Sequence, residues 1–310
     1  MLKKTSGYKK YFRSHAALYM MMIPGLLYIV LFKLTPLYGV TIAFKDYKIF
    51  NGANAFEAIA NSEWVGFKNF MEIFHQPEFL RVLSNTFVIA FLKLVLLFPL
   101  PILLSLLSSE LTWNRYKKMV QTVIYLPHFL SWIVVAGMAF HILGTTGLVN
   151  QSLAAMGFGR INFLMDSHNF LWVLVGSDAW KEAGFNTVVY IAAIASINPD
   201  LYEAAQMDGA GRIQKMFHIT LPNIMPTVLL MFILKVGKIL EENFQQILVM
   251  YNPAVYDSAD VIQTFVYRMG LGEMDFTMGV TVGLFNSVVS FALILLSNYM
   301  CKKVLKRSVW

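Results

Sequence analysis

The chain has 310 residues, of which 57% are hydrophobic and only 14% charged, with a mean hydropathy of +0.58. A soluble domain carries nearer a quarter charged residues, so this composition excludes an ordinary globular enzyme and indicates an integral membrane protein. The formal charge of +7 does not signal a nucleic-acid partner here. Basic residues collect on cytoplasmic loops and face anionic lipid. One cysteine, Cys301, rules out an internal disulfide and any cysteine-based metal cluster.

Taken in order, residues 1–15 form a basic tail with Lys3, Lys4, Lys9, Lys10 and Arg13. The apolar run that follows, 16–44, is too long for a signal-peptide core and lacks a cleavage site after a short core, so it reads as transmembrane helix 1. Pro24, Lys33 and Pro36 interrupt it. Residues 45–81 interleave Phe67, Phe70 and Phe74 with charges, which predicts an outer loop carrying a short amphipathic segment along the membrane surface. Helix 2 is expected over 82–108, bent at Pro99 and Pro101, and helix 3 over 119–143, containing Tyr125-Leu126-Pro127-His128. Helices 4, 5 and 6 are expected over 170–196, 224–250 and 278–301, and a basic tail, 302–310, closes the chain. The core of helices 2 to 6 thus occupies 82–301.

Each run exceeds the roughly 20 residues that a bilayer crossing needs. Six crossings place both termini on one side. The two tails and the 109–118 and 197–222 loops hold about fourteen Lys and Arg, against about six on the other three loops. Both termini and the 197–222 loop are therefore expected in the cytoplasm.

That loop is a polar island between apolar helices. Its sequence predicts a short helix, a glycine break, a second short helix and a stop at Pro222. Asn198 caps with Pro199 at the first helical position, or Asp200 and Glu203 form a capping box. Gly209 suits the left-handed residue that ends a helix. A first helix of about ten residues is too short to stand alone in water. It needs a surface to lie on. Ala204 and Ala205 offer a close-packing face and Glu203 a charge for a basic partner.

Charges also lie inside the predicted membrane helices. Asp178, Lys181, Glu182 and Asn186 sit on helix 4, and Lys235, Lys238, Glu241, Glu242, Asn243, Gln245 and Gln246 on helix 5. Such groups cost about 2.5–3.5 kcal/mol each at mid-bilayer and do not face lipid. Spacings of three and four place Asp178 beside Glu182 and Lys238 beside Glu241 or Glu242. Asp178 and Glu242 fall at similar depth, as do Asn186 and Lys235, so these residues are candidates to line one polar path. Internal ion pairing between helices is the competing reading. Trp132, Trp180, Phe185 and Tyr190 are candidate stacking faces for sugar rings, or lipid-facing and core aromatics.

Nothing in the chain points to catalysis or to a metal. Gly237-Lys238 is followed by isoleucine and lacks the upstream glycine of a phosphate-binding loop. No metalloprotease or serine-hydrolase motif is present. The six histidines (His15, His75, His128, His141, His168, His218) are scattered and read as structural.

The spacing Glu203-Ala204-Ala205, Gly209, Ile219-x-Leu221-Pro222 resembles the EAA loop of ATP-binding-cassette (ABC) importer permeases at every position. The resemblance implies an all-α membrane protein with six transmembrane helices and the type I, MetI-like permease fold, with both termini cytoplasmic. It also implies a coupling role for the loop, in which Glu203 makes the polar contact, Ala204 and Ala205 permit close approach, Gly209 turns the chain, and Asp208 and Ala210 flank that turn. A second permease, two ATPase subunits that hold ATP and magnesium, and an extracytoplasmic solute-binding protein are the implied partners, in the plasma membrane of a prokaryote. Other stretches resemble sugar-importer permeases: Ile23-Pro24, Thr35-Pro36, Val65-Gly66-Phe67-Lys68-Asn69-Phe70, Asn85-Thr86, Tyr251-Asn252-Pro253 and Thr264 to Arg268. They are most similar to the branch handling oligosaccharides or polysaccharide fragments. The maltose relatives have eight helices and a large outer insertion, so their sugar contacts are not carried over. Amino-acid or peptide import, a proton-coupled carrier and a membrane enzyme using Asp178 and Glu182 are the alternatives.

Overall fold

The computed structural model describes Tyr11, residues 14–240 and residues 244–305, with the side chains of 304 and 305 excepted. The basic N-terminal residues Lys3, Lys4, Lys9, Lys10 and Arg13, the end of the C-terminal tail, and Glu241, Glu242 and Asn243 lie outside the described residues. The chain forms two compact units: one from the chain up to Ile73 with Met269–Leu284, the other from Phe74–Arg268 with Phe285 onward.

In the first unit, α1 (Ala16–Ile29) passes through a π turn (Val30–Leu34) into a 3-10 segment (Thr35–Phe44). No residue of α1 or the π turn is buried. Two short strands, β1 (Lys45–Asp46) and β2 (Glu63–Trp64), pair antiparallel with Lys45 opposite Trp64. Between them α2 (Ala55–Asn61) starts at Asn54, whose side chain accepts the Glu57 N–H at 2.9 Å. The Val65-to-Phe70 step has a plain structural role. Gly66 takes a left-handed φ of 63°, and the Asn69 amide donates to the Ala43 and Lys45 carbonyls at 3.0 Å each. The Phe70 ring packs 5.3 Å from that of Phe44. A further short helix, α3 (Lys68–His75), follows.

The second unit is built from longer helices. The first apolar run of this unit begins at Pro77, earlier than the expected 82, because Pro77 has no N–H to lose at a helix start. It comprises α4 (Pro77–Leu97) and α5 (Pro99–Ser109), which meet at Phe98. The predicted continuous helix 119–143 is corrected. The chain forms α6 (Asn114–Tyr125), a 3-10 turn (Leu126–Phe129) and α7 (Trp132–Leu143). Pro127 cannot donate to the helical ladder, Leu130 is extended, and the Ser131 hydroxyl caps the new helix by accepting the Val134 N–H at 3.3 Å. After α8 (Leu148–Ala155) comes α9 (Ser167–Ala195), capped by Asp166.

The loop after α9 holds α10 (Asp200–Met207). Then α11 (Arg212–Lys215), a π turn (Met216–Thr220) and α12 (Leu221–Lys238) run on as one 27-residue helix. Pro222 therefore does not stop the helix, contrary to the sequence expectation. The π turn immediately before it breaks the regular ladder at the place where proline offers no N–H. The expected helix 224–250 is likewise two pieces, α12 ending at Lys238 and α13 (Phe244–Met250). The shorter α14 (Tyr256–Ala259) and α15 (Ile262–Tyr267) precede the final helix, α16 (Phe276–Leu305), of which Phe276–Leu284 belong to the first unit and the rest to the second.

Among the described residues, five helical runs are long and apolar enough to cross a membrane: 16–44, 77–109, 132–155, 212–238 and 276–303. The sixth long helix, α9, has 29 residues, about 44 Å at 1.5 Å per residue, and differs in carrying Asp178, Lys181 and Glu182. The result is an all-α, multi-pass membrane protein.

Apolar clusters, these two among them, hold the second unit together. One gathers Ile89, Phe170, Leu174, Ile247, Met250 and Val261. The other gathers Leu106, Tyr190, Ile224 and Val228. Polar groups pin the start of α4 to the segment before α16. Arg268 bridges Glu78 at 2.8 Å and the buried Asp260 at 2.5 Å. Asn85 donates to the Asp257 carbonyl at 2.9 Å, and the Thr86 hydroxyl accepts the Ile262 N–H at 2.9 Å. Burial works against the Arg268 charge, but the hydrogen bonds to Glu78 and Asp260 outweigh it and raise its pKa. Burial likewise pushes the Tyr251 hydroxyl up to about 12.

Candidate functional site

Two features stand out, an exposed helix between α9 and α12 and a polar cavity among the long helices. The exposed helix is α10, eight residues with none buried. Its caps explain why so short a segment is helical. Asn198 accepts the Asp200 N–H at 3.1 Å, so the first of the two capping alternatives is the one formed. At the other end Gly209 sits at φ 77°, its N–H donates to the Gln206 carbonyl at 3.1 Å, and the Ala210 N–H donates to the Ala205 carbonyl at 2.9 Å. Those two bonds are the full Schellman pattern, which requires a left-handed residue at the position of Gly209.

The Tyr202 hydroxyl bonds that of Thr220 at 2.9 Å and ties α10 to the following helix. Glu203, Ala204 and Asp208 are exposed, and Ala205 and Ala210 half-buried. Among the described residues Glu203 makes no ion pair. Ala205, Asp208, Gly209 and Ala210 face Gln214, Lys215, His218 and Ile219 across a groove of ≈ 390 Å³. Leu221 packs into the core around Leu106 and Ile224, and Pro222 is exposed. Met207 at the tip is 90% exposed.

The cavity, ≈ 290 Å³, is lined by Asp178, Glu182 and Asn186 from α9 and by Lys235 and Lys238 from α12, with Phe98 and Tyr190 among the apolar walls. Both carboxylates are ion-paired, each with a lysine. Asp178 meets the buried Lys93 of α4 at 2.9 Å. Lys93 also bonds the Gln246 side-chain oxygen, and the Gln246 amide donates to the Leu174 carbonyl and the Ser177 hydroxyl, both at 2.8 Å.

Glu182 takes Lys181 at 2.7 Å and the His128 ring at 2.7 Å. The Lys181 ammonium also donates to the His128 carbonyl at 2.9 Å. That carbonyl lies in the 3-10 turn at Pro127, where the helical ladder is interrupted, so α9 supplies the bond that the broken helix lacks. The His128 ring stacks on Phe185 with centroids 3.9 Å apart, and Lys181 lies 5.2 Å over Trp132.

The remaining candidates fall elsewhere. Trp180 lines a separate, mainly apolar groove with Ile142 and Trp172. Gln245 is exposed, and Glu242 is outside the described residues. Sequence reasoning missed Lys93, although a single lysine inside the apolar run 91–98 signals a buried partner. It also missed Gly184, where an added Cβ would overlap the Ile124 carbonyl of α6.

Long membrane helices enclosing a polar cavity, with an exposed capped helix at one end, define a multi-pass transport permease. The family model described as "Binding-protein-dependent transport system inner membrane component" matches residues 70–306, and the chain belongs to that family. It is an ABC importer permease of the type I, MetI-like kind, a transport subunit and not an enzyme. Among similar proteins, the polygalacturonan/rhamnogalacturonan transport system permease protein YteP of Bacillus subtilis (strain 168) is 42% identical over 287 residues, covering 92% of this chain and 88% of that one. The arabinooligosaccharides transport system permease protein AraP of the same organism is 28% identical over 304 residues, covering 95% and 91%. A chain in the crystal structure of a bacterial alginate ABC transporter, in complex with alginate pentasaccharide-bound periplasmic protein, superposes with TM-score 0.87 at 38% identity. The match covers 97% of this chain and 99% of that one.

Proposed function

We propose that this permease imports an oligosaccharide or polysaccharide fragment, and that α10 couples it to a separate ATPase. The observation that carries the coupling is α10 itself. It is a helix closed by caps at both ends, held by one side-chain bond, with Glu203 and Ala204 turned outward. Such a helix gains little from its own chain and presents a rigid, close-packing face to another. The saccharide class rests on the relatives named for polygalacturonan/rhamnogalacturonan, arabinooligosaccharides and alginate. Asn186, Lys235 and Lys238 put hydrogen-bonding groups on the cavity wall, in keeping with a hydroxyl-rich solute.

In this mechanism a solute-binding protein delivers the saccharide from outside, and a second permease supplies the other half of the path. ATP and magnesium act on two partner ATPase subunits. Closure of the ATPase pair moves α10, and α10 moves the helices it joins. Both termini and α10 lie in the cytoplasm of a prokaryotic cell, in keeping with the distribution of basic residues.

The test is Gly209→Val together with Glu203→Lys. Left-handed backbone costs a non-glycine residue about 1–2 kcal/mol, enough to open the Schellman cap. Nothing lies within 4 Å of a Cβ at Gly209, so membrane assembly is spared. ATP-dependent uptake is expected to fall about tenfold or more in each variant with membrane levels unchanged. Uptake at the unaltered rate in both would defeat the coupling role.

A further inference from the structure

A second cavity, ≈ 310 Å³, lies where α5 ends, α6 begins and α9 ends, and Tyr202 of α10 forms part of its wall. Ile191 and Ile194 give it an apolar side, and Glu110 and Lys117 give it one charge of each sign. Both charged residues are half-buried. Among the described residues neither makes an ion pair, although they line one cavity of molecular size. Two opposite charges that face the same space without bridging each other fit a ligand carrying both signs.

The long α5 and α9 end at this level and the shorter α6 begins there, and the exposed Arg115 and Lys118 flank Lys117. That is the setting of lipid headgroups. We propose that the cavity binds an aminophospholipid of the inner leaflet, of the phosphatidylethanolamine type. The Lys117 ammonium pairs with the phosphate, the Glu110 carboxylate accepts from the primary ammonium, and an acyl chain lies along Ile191 and Ile194. The bonded Tyr202–Thr220 pair borders the same space, so an occupied cavity braces α10 against the membrane helices. A phosphatidylglycerol headgroup brings only neutral hydroxyls, and no positive charge, to Glu110. A choline headgroup has no N–H to donate to it.

The experiment measures thermal stabilisation of the purified full chain in detergent. It is titrated with short-chain phosphatidylethanolamine, phosphatidylcholine or phosphatidylglycerol, and with soluble phosphoethanolamine. Phosphatidylethanolamine is expected to raise the melting temperature at the lowest concentration. Glu110→Gln and Lys117→Met each remove a charge-assisted bond and should raise the half-maximal concentration about tenfold or more. Equal stabilisation by all three lipids, or unchanged titrations in both variants, would overturn the site. Phosphoethanolamine acting as well as the lipid would overturn the lipid assignment in favour of a soluble zwitterion. The ranking of lipids on the unaltered chain stands as a test even if a variant folds poorly.

Discussion

Replacing Lys93 with methionine is expected to destabilise the protein by about 3–5 kcal/mol, because it strands a buried carboxylate. Lys93 is 4% exposed and holds both Asp178 and Gln246. Removing the ammonium leaves Asp178 charged in a site with little water and takes the partner from the Gln246 oxygen. The double variant Lys93→Met with Asp178→Leu removes both charges and should recover most of the loss, since replacing a buried pair by apolar groups is often neutral. Thermal unfolding in detergent checks this. A double variant no more stable than the single one would show that the pair does not act as a unit. The same double variant separates two roles for Asp178. Stability without transport would mean that Asp178 also serves the path, and recovery of both would mean that it serves the fold.

Gly184→Leu is expected to abolish assembly of the second unit. Helices α6 and α9 approach so closely here that even a Cβ at Gly184 would overlap the Ile124 carbonyl. Backbone cannot rotate away as a side-chain tip can, so the helices must part. Overpacking costs about 1–3 kcal/mol for extra methylenes in a packed core, and this overlap is with main chain. Separation would also pull α9 from the turn at Pro127 and break the Lys181–His128 carbonyl bond. Gly176→Leu on the same helix is the control, because nothing lies within 4 Å of a Cβ there. The yield of monodisperse protein should collapse for Gly184→Leu and persist for Gly176→Leu. Equal yields would refute the close contact.

The exposed helix α10 was largely legible in sequence because its physics is local. Asn198 and Gly209 cap it through bonds that reach no further than five residues. Apolar length located the long helices for the same reason. What failed was continuity. Pro127 was visible, but its effect depends on Ser131 capping a new helix and on Lys181 bonding from 53 residues away. Pro222 reads as a stop in sequence because the π turn that accommodates it has no spacing signature.

The charged residues show the limit most clearly. Asp178 and Glu182 are one turn apart on α9 with like charge, and each is held by a lysine, Lys93 from a distant helix and Lys181 from the next position. Only the second of those partners is adjacent in sequence. Gly184 carried no signal at all, since an isolated glycine in an apolar helix reads the same whether its neighbour is lipid or another backbone.

The most direct test of the proposal is uptake of the labelled saccharide bound by the cognate solute-binding protein, in proteoliposomes holding the permease pair, the partner ATPase and that binding protein. The account predicts uptake that requires ATP and the binding protein, survives a protonophore, and is lost in Gly209→Val. Uptake that persists without the ATPase and collapses with the protonophore would contradict it and assign the driving force to protons.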